Sequence, residues 1–320
     1  MKAVAVTEYG GPEVLRLVDL PEPHAGPGQV RIRVHAAAVN PADTLLRIGD
    51  TAEALSEVVP RPYRPGMDLA GVIDEIGEQT DTDLELGDRV MAMVVPIDAS
   101  GGAYAELVVL DARQVSRSPE GARHVEAATV PMNGLTARLA LDVLALPPGA
   151  WIAITGAAGA VGGYALELAK ADGLRVIADA APADVDLVRR LGADEVVARG
   201  DGIADRILKM RPDGVDAVID TALLGALIEP AIRPGGQLAT LRRSNERGAN
   251  PLSGRAGVHV RDVWVPEYRF ATDKLEQLRL LVEAGKLSMR VAGVYPASEA
   301  AETHRRLEAG GVRGRLVLEF

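Results

Sequence analysis

Cysteine is absent from the 320 residues. That lack excludes a disulfide framework, Cys-ligated zinc, an iron–sulfur cluster and a thiol nucleophile. Histidine is scarce: His24, His35, His124, His259 and His304 are scattered, and none stands at the i, i+4 spacing of a metal-binding helix. An excess of positive charge is lacking too. The net charge of −10 disfavours a nucleic-acid binder, which needs a cationic face to displace counterions from phosphates. Glycine and proline stay below the level of low-complexity chains, and 48% hydrophobic with 25% charged residues is an ordinary globular mixture. The longest uncharged run, 143–166, is broken by Pro147-Pro148-Gly149 and further glycines, so it cannot form one membrane helix. The apolar run after Met1 is too short for a signal peptide, and a cytoplasmic protein is expected.

At roughly 150 residues per domain, the length favours two domains. The first third reads as short strands with Gly/Pro punctuation: Lys2–Val6, Leu15–Val18, the strictly alternating Val30–Val34, Gly71–Gly77, Asp88–Met93 and Tyr104–Val109. Such strands predict an irregular β-barrel with one helix near Pro41–Ile48. A helical pattern covers Val125–Leu146. Strands then alternate with helices: Trp151–Thr155, Gly163–Ala171, Arg175–Ala178, Asp184–Leu191, Glu195–Val197, Ile203–Met210, Ala217–Asp220, Leu223–Ala231 and Gln237–Leu241. This alternation predicts a doubly wound parallel α/β sheet, a Rossmann domain over 125–265. The last strand, Gly314–Phe320, is expected to return to the first domain, which then comprises 1–124 and 266–320.

The sharpest local signal is the strand Trp151–Thr155 followed by Gly156-Ala157-Ala158-Gly159-Ala160-Val161-Gly162 and a helical run. A buried strand ending in a glycine turn leaves the amides of the next helix's first turn aimed at a pyrophosphate, aided by the helix dipole. Gly159 lets the backbone approach the phosphates, and Gly162 lets the helix pack closely. Gly156, Ala158, Gly159, Ala160, Val161 and Gly162 are therefore candidate dinucleotide contacts, with Leu241 at a later strand end. Asp179, about 20 residues after the middle glycine, suits a ribose 2′-OH and would repel a 2′-phosphate, which points to NAD(H). Removing that carboxylate, as in Asp179→Ser, is then expected to strengthen NADPH binding. A solvated Asp at a strand end is the other reading. Arg175, Arg189 and Arg190 are nearby cations that could offset it.

Several segments together resemble the zinc-independent, zeta-crystallin-like quinone oxidoreductases of the medium-chain dehydrogenase/reductase superfamily. They are Ala36–Asp43, Pro65–Ile73, Gly101–Glu106, Gly134–Arg138, the glycine turn and Glu299–Arg305, in family order over almost the whole chain. The resemblance implies a chaperonin-10-like barrel beside a Rossmann domain with a cleft between them, NADP(H) as usual cofactor, and commonly a homodimer. Zinc-dependent relatives place Cys where this chain has Asn40 and Gly-His-Glu where it has Gly66-Met67-Asp68, so no zinc is expected. The sequence departs from the family at Leu45, where a Tyr often faces the substrate, and near Asp184, where a basic residue helps hold the 2′-phosphate. The loop 242–257 matches no pattern.

Hydride transfer needs charge stabilised on the oxygen that receives electrons. A quinone or α,β-unsaturated carbonyl spreads that charge by conjugation, so neutral donors suffice. Asn40 is the first candidate, as a carboxamide donor or as a turn former before proline. Thr136 resembles the family's nicotinamide-side contact; otherwise it is a helix hydroxyl bonded to a backbone carbonyl. Tyr104 is either a proton donor or a strand residue of the core. The expected activity is metal-free NAD(P)H-dependent reduction of a conjugated carbonyl. An enoyl-type reductase and a redox-inactive NAD(P)H-binding module are the alternatives. His259–Val265 reads as an edge strand, paired across a twofold axis or shielded by Arg261 and Asp262.

Overall fold

The computed structural model describes residues 1–52, 61–242 and 250–320. They divide into two units: Met1–Met132 with Pro266–Gly285 and Met289–Phe320, and Asn133–Val265 with Lys286–Ser288.

In the first unit, β1 (Lys2–Val6) and β2 (Leu15–Asp19) form an antiparallel pair. β3 (Gln29–Ala38) is the hub of the larger sheet. Its Val30, Ile32 and Val34 are buried, while Arg31 and Arg33 point outward to Asp74 at 2.8 and 2.9 Å. This is the period-two pattern of a strand with one wet face. Helix α1 (Pro41–Ile48) follows; Asn40 is its N-cap, Pro41 opens it, and Gly49 at φ +84 ends it. Next come β4 (Asp68–Ile76), β5 (Arg89–Met93), β6 (Leu107–Asp111), β7 (Val115–Arg117) and the short helix α2 (His124–Ala127). The expected strand from Tyr104 begins only at Leu107. Residues 103–105 instead bond to the Pro65–Gly66 turn and to β1: Ala103 N to Gly66 O at 2.9 Å, Tyr104 N to Pro65 O at 3.0 Å, and Val4 N to Tyr104 O at 2.9 Å.

Helix α3 (Pro131–Leu144) leads into the second unit. There β8 (Trp151–Thr155), α4 (Ala160–Ala171), β9 (Arg175–Ala180), α5 (Val185–Arg190), β10 (Glu195–Ala198), α6 (Ile203–Met210), β11 (Val215–Asp220), β12 (Ile232–Thr240) and β13 (His259–Asp262) succeed one another. Every pairing is parallel, in the order β10-β9-β8-β11-β12-β13. That is the doubly wound order, which reverses direction between β8 and β11. The helix expected over Leu223–Ala231 is two short 3-10 turns, Gly225–Leu227 and Glu229–Ala231. Pro230 lacks an amide proton and Gly225 sits at φ +53, and both interrupt an α-helix. Of the unmatched loop 242–257, residues 243–249 lie outside the described ones.

The chain re-enters the first unit through α7 (Thr272–Glu283), β14 (Val291–Pro296), α8 (Ala300–Glu308) and β15 (Arg315–Glu319). β15 pairs antiparallel with β3 and parallel with β14, completing the order β14-β15-β3-β4-β5-β7 with β6 also on β3. Apolar clusters of buried residues form in both units. One in the first is built on Ile32, Leu69, Ile73 and Leu316, and one in the second on Ile177, Val218, Ile232 and Leu238. Among the described residues, no helix is long and apolar enough to cross a membrane.

Candidate functional site

The carboxyl ends of β8, β11 and β12 lie level, Thr155 beside Asp220 and Asp220 beside Thr240. Just beyond them the chain turns. Gly156 takes φ +64, and a Cβ there would meet Thr221 Oγ1 at 2.6 Å, so glycine is required on two counts. Gly159 N donates to Gly156 O at 2.8 Å, and α4 begins at Ala160 with glycine as its N-cap residue. At Gly162 a Cβ would lie 2.3 Å from Gly156 O; only glycine lets α4 rest directly on the turn. Ala158 and Ala160 are buried, Val161 and Gly159 half-buried. A glycine turn leading into a helix at the carboxyl end of a parallel sheet, beside its switch point, suits a diphosphate.

Two buried carboxylates brace this turn from below. Asp220 accepts Thr155 Oγ1 at 2.6 Å and Gly225 N at 2.9 Å, and Ala222 N donates to Thr155 Oγ1 at 3.0 Å. Asp179 is 5% exposed and accepts Ala157 N at 3.1 Å and the amide of Gly156; burial raises its pKa. Its carboxylate is therefore directed back into the turn. Side chains alternate faces along a strand, and this face of β9 brings the carboxylate to the glycine turn. The cation beside it is none of the three expected. Arg175 lies against Trp151, 5.5 Å from its ring, at the start of β9. Arg199, half-exposed, places Nε 3.9 Å from Asp179 Oδ2, and its amide donates to Ala180 O at 3.0 Å. The register of β10 on β9, Ala198 opposite Ala180, brings it there. Leu241, half-buried, follows Thr240 at the same sheet end.

The first unit gathers its polar candidates in a second cluster. Asp43, fully buried, accepts Asn40 N and Gly66 N at 2.8 Å each and Tyr104 OH at 3.1 Å. Asp68, also fully buried, accepts Asn40 Nδ2 at 2.7 Å and Met132 N at 2.6 Å, near the start of α3. Burial raises the Asp43 pKa to about 6 and that of Asp68 to about 7. The Asn40 amide also donates to Ala38 O at 3.3 Å. Both its hydrogens are thus used inside the protein, so Asn40 is not an available carboxamide donor; its buried Oδ1 has no partner. Tyr104 is fully buried with its hydroxyl on Asp43, which removes it as a proton donor to a ligand. Thr136 is buried in α3.

Among the described residues, no three His, Cys, Asp or Glu side chains are grouped to hold a metal ion. His24 bonds to Glu75 at 3.3 Å, His35 stacks on His124 with centroids 4.6 Å apart, and His259 is exposed on β13. His304 is buried between Tyr104 and Arg47. Sequence reasoning missed Arg47, His304, Arg199 and Asp220. Only the register of neighbouring strands could have pointed to Arg199 and Asp220.

Residues 26–120 match the family described as alcohol dehydrogenase GroES-like domain, and residues 191–318 the one described as zinc-binding dehydrogenase. The chain is 31% identical to mouse NAD(P)H oxidoreductase RTN4IP1, mitochondrial, covering 99% of this chain and 89% of that protein. It is 30% identical to the quinone oxidoreductase of Pongo abelii over 99% of this chain and 97% of that one. The chain belongs to the quinone oxidoreductase family of the medium-chain dehydrogenase/reductases. The family's fold is a GroES-like barrel with a Rossmann domain, as expected: the strand and helix pattern predicts a barrel and a Rossmann domain, and the resemblance implies the barrel's chaperonin-10-like form. The quinone oxidoreductase structure from Coxiella burnetii superposes with a TM-score of 0.85 at 30% identity, covering 100% of this chain and 99% of the other. A mycobacterial protein complexed with NADPH gives 0.85 at 27% identity, with 100% of both chains covered. A polyketide synthase of Streptomyces halstedii is 32% identical over 91% of this chain, which spans only 5% of that protein.

Proposed function

We propose that this medium-chain oxidoreductase binds NADPH and reduces a quinone or α,β-unsaturated carbonyl. The observation that carries the reading is the glycine turn opening α4 beside the switch point of the parallel sheet. When bound, the dinucleotide supplies a hydride donor. The protein's share is to hold and orient. The first turn of α4 would hold the diphosphate, and Gly162 lets the helix rest directly on the glycine turn. NADPH would be favoured over NADH because Asp179 bonds to the turn amides while Arg199, half-exposed beside it, offers a guanidinium that would pair with a 2′-phosphate. In the first unit, Asn40 Oδ1 is a buried acceptor without a partner, set between two carboxylates of raised pKa, a combination typical of functional sites. A conjugated acceptor asks less of the protein, since it disperses incoming charge and takes its proton afterwards from solvent.

A second reading is an enoyl-type reductase, whose acyl substrate is also a conjugated carbonyl; the CurK enoyl reductase shares this chain's fold at a TM-score of 0.86. One assay separates these. NADPH consumption is followed with a naphthoquinone, a simple enone and an enoyl thioester, after titrating NADPH binding by fluorescence. Turnover fastest with the quinone or enone is expected. Faster turnover of the thioester selects the enoyl reading, and tight NADPH binding with no consumption leaves a binding module in place of an enzyme.

A further inference from the structure

Four side chains of the first unit form a hydrogen-bonded row that ends on Asp43. Arg47 of α1 is 2% exposed; its guanidinium pairs with Glu308 of α8 at 2.5 Å, and its NH1 lies 3.3 Å from His304 Nδ1. His304 Nε2 lies 3.4 Å from the Tyr104 hydroxyl, which lies 3.1 Å from Asp43 Oδ2. The two histidine contacts are long, so neither is strong alone.

Direction follows from valence. A guanidinium has no acceptor, so His304 Nδ1 must offer its lone pair to Arg47, and the ring's single hydrogen sits on Nε2. That N–H faces the Tyr104 oxygen, which frees the phenol's hydrogen for Asp43. Donation runs one way, from Arg47 through His304 and Tyr104. Burial and the Arg47 charge push the imidazole pKa down to about 3, so the ring stays neutral, as this arrangement requires. Burial and the neighbouring carboxylates push the Tyr104 pKa up, so the phenol keeps its hydrogen. Asp68 on β4 and Arg315 on β15 also face Asp43, one opposing and one favouring its charge.

Asp43 is the joint of this region. The same carboxylate takes the amides of Asn40 and Gly66, fixing the turn into α1 against the turn into β4. We propose that Arg47, His304 and Tyr104 are positioning residues, whose one-way row aims donation at Asp43 and so keeps Asn40 and Gly66 in register for the electron acceptor. This rests on the reading of the first unit as the acceptor-binding part. A satisfied buried polar network rigidifies the groups it joins.

The test uses the full chain with Tyr104→Phe, His304→Leu and His304→Gln. Glutamine can accept from Arg47 and donate to Tyr104; leucine can do neither. Asp43 is titrated by carboxyl-carbon NMR, and kcat and KM are measured with NADPH and a naphthoquinone. Tyr104→Phe and His304→Leu are expected to raise the Asp43 midpoint and lower kcat by about fivefold, with KM for NADPH within about twofold, and His304→Gln to restore both. An unmoved Asp43 midpoint, a glutamine variant as impaired as leucine, or a shifted midpoint with unchanged kcat each overturns the proposal. If the wild type reduces no acceptor, the functional reading fails on its own, while the NMR titration still decides whether the row acts on Asp43.

Discussion

Asp179 has one reading from its position in the sequence and another from its contacts. A carboxylate at the end of β9 is well placed to repel a 2′-phosphate, yet this one is held by the amides of Ala157 and Gly156 and faced by Arg199. Two substitutions separate these roles. Arg199→Ala is expected to weaken NADPH binding about tenfold and to leave NADH nearly unchanged, because only the phosphate ester needs the guanidinium. Asp179→Ser is expected to weaken both cofactors, because the turn loses the acceptor that shapes it. Fluorescence titration with each reduced dinucleotide reads both effects. Tighter NADPH binding in Asp179→Ser would return Asp179 to the ribose-facing role. Gly156 and Gly162 were legible from sequence because turn and helix contact each other within a few residues. Arg199 was not, since its place beside Asp179 depends on the pairing of β9 with β10.

Helix α3 shows how elements impose a protonation state. Asp68 accepts the Met132 amide near the helix N-terminus, where a negative charge is ordinarily stabilised. Complete burial outweighs that help, and its pKa rises to about 7. The native state therefore binds a proton that the unfolded chain, with an ordinary carboxylate, has already released. Stability from this group is present in acid and is lost as pH rises toward the folded value. From about pH 5 to about pH 8, wild type should lose on the order of 2 kcal/mol relative to Asp68→Asn, whatever constant offset the substitution brings. Denaturant unfolding of both proteins at the two pH values measures this, and a difference that stays flat would show Asp68 ionised throughout. The helix and strand alternation of the second unit was readable because 3.6- and 2-residue periods are local. The segment 223–231 was not, since Gly225 and Pro230 break a pattern that otherwise looks helical.

At the scale of the whole molecule, the second unit's sheet ends in an open edge. All four residues of β13 are exposed, Val260 among them, as is the nearby Trp264, and β13 pairs only with β12 among the described strands. An exposed edge with an apolar side chain and a tryptophan is a surface for another strand. Sedimentation is expected to give a dimer in which a second copy covers β13, and Val260→Lys with Trp264→Glu to give a monomer that still binds NADPH. A monomeric wild type would leave Arg261 and Asp262 as the edge's only protection. By itself, the sequence determined the alternating βαβ order, the glycine turn and the absence of thiol chemistry, because each is a property of residue type or of neighbours along the chain. Tertiary structure alone decided that Asn40 spends its donors on Asp68 and Ala38, that Asp179 faces inward, and that Arg47, His304 and Tyr104 meet at Asp43. Tyr104 and His304 are 200 residues apart, and contacts at that separation exist only once the return of β15 onto β3 has closed the first unit.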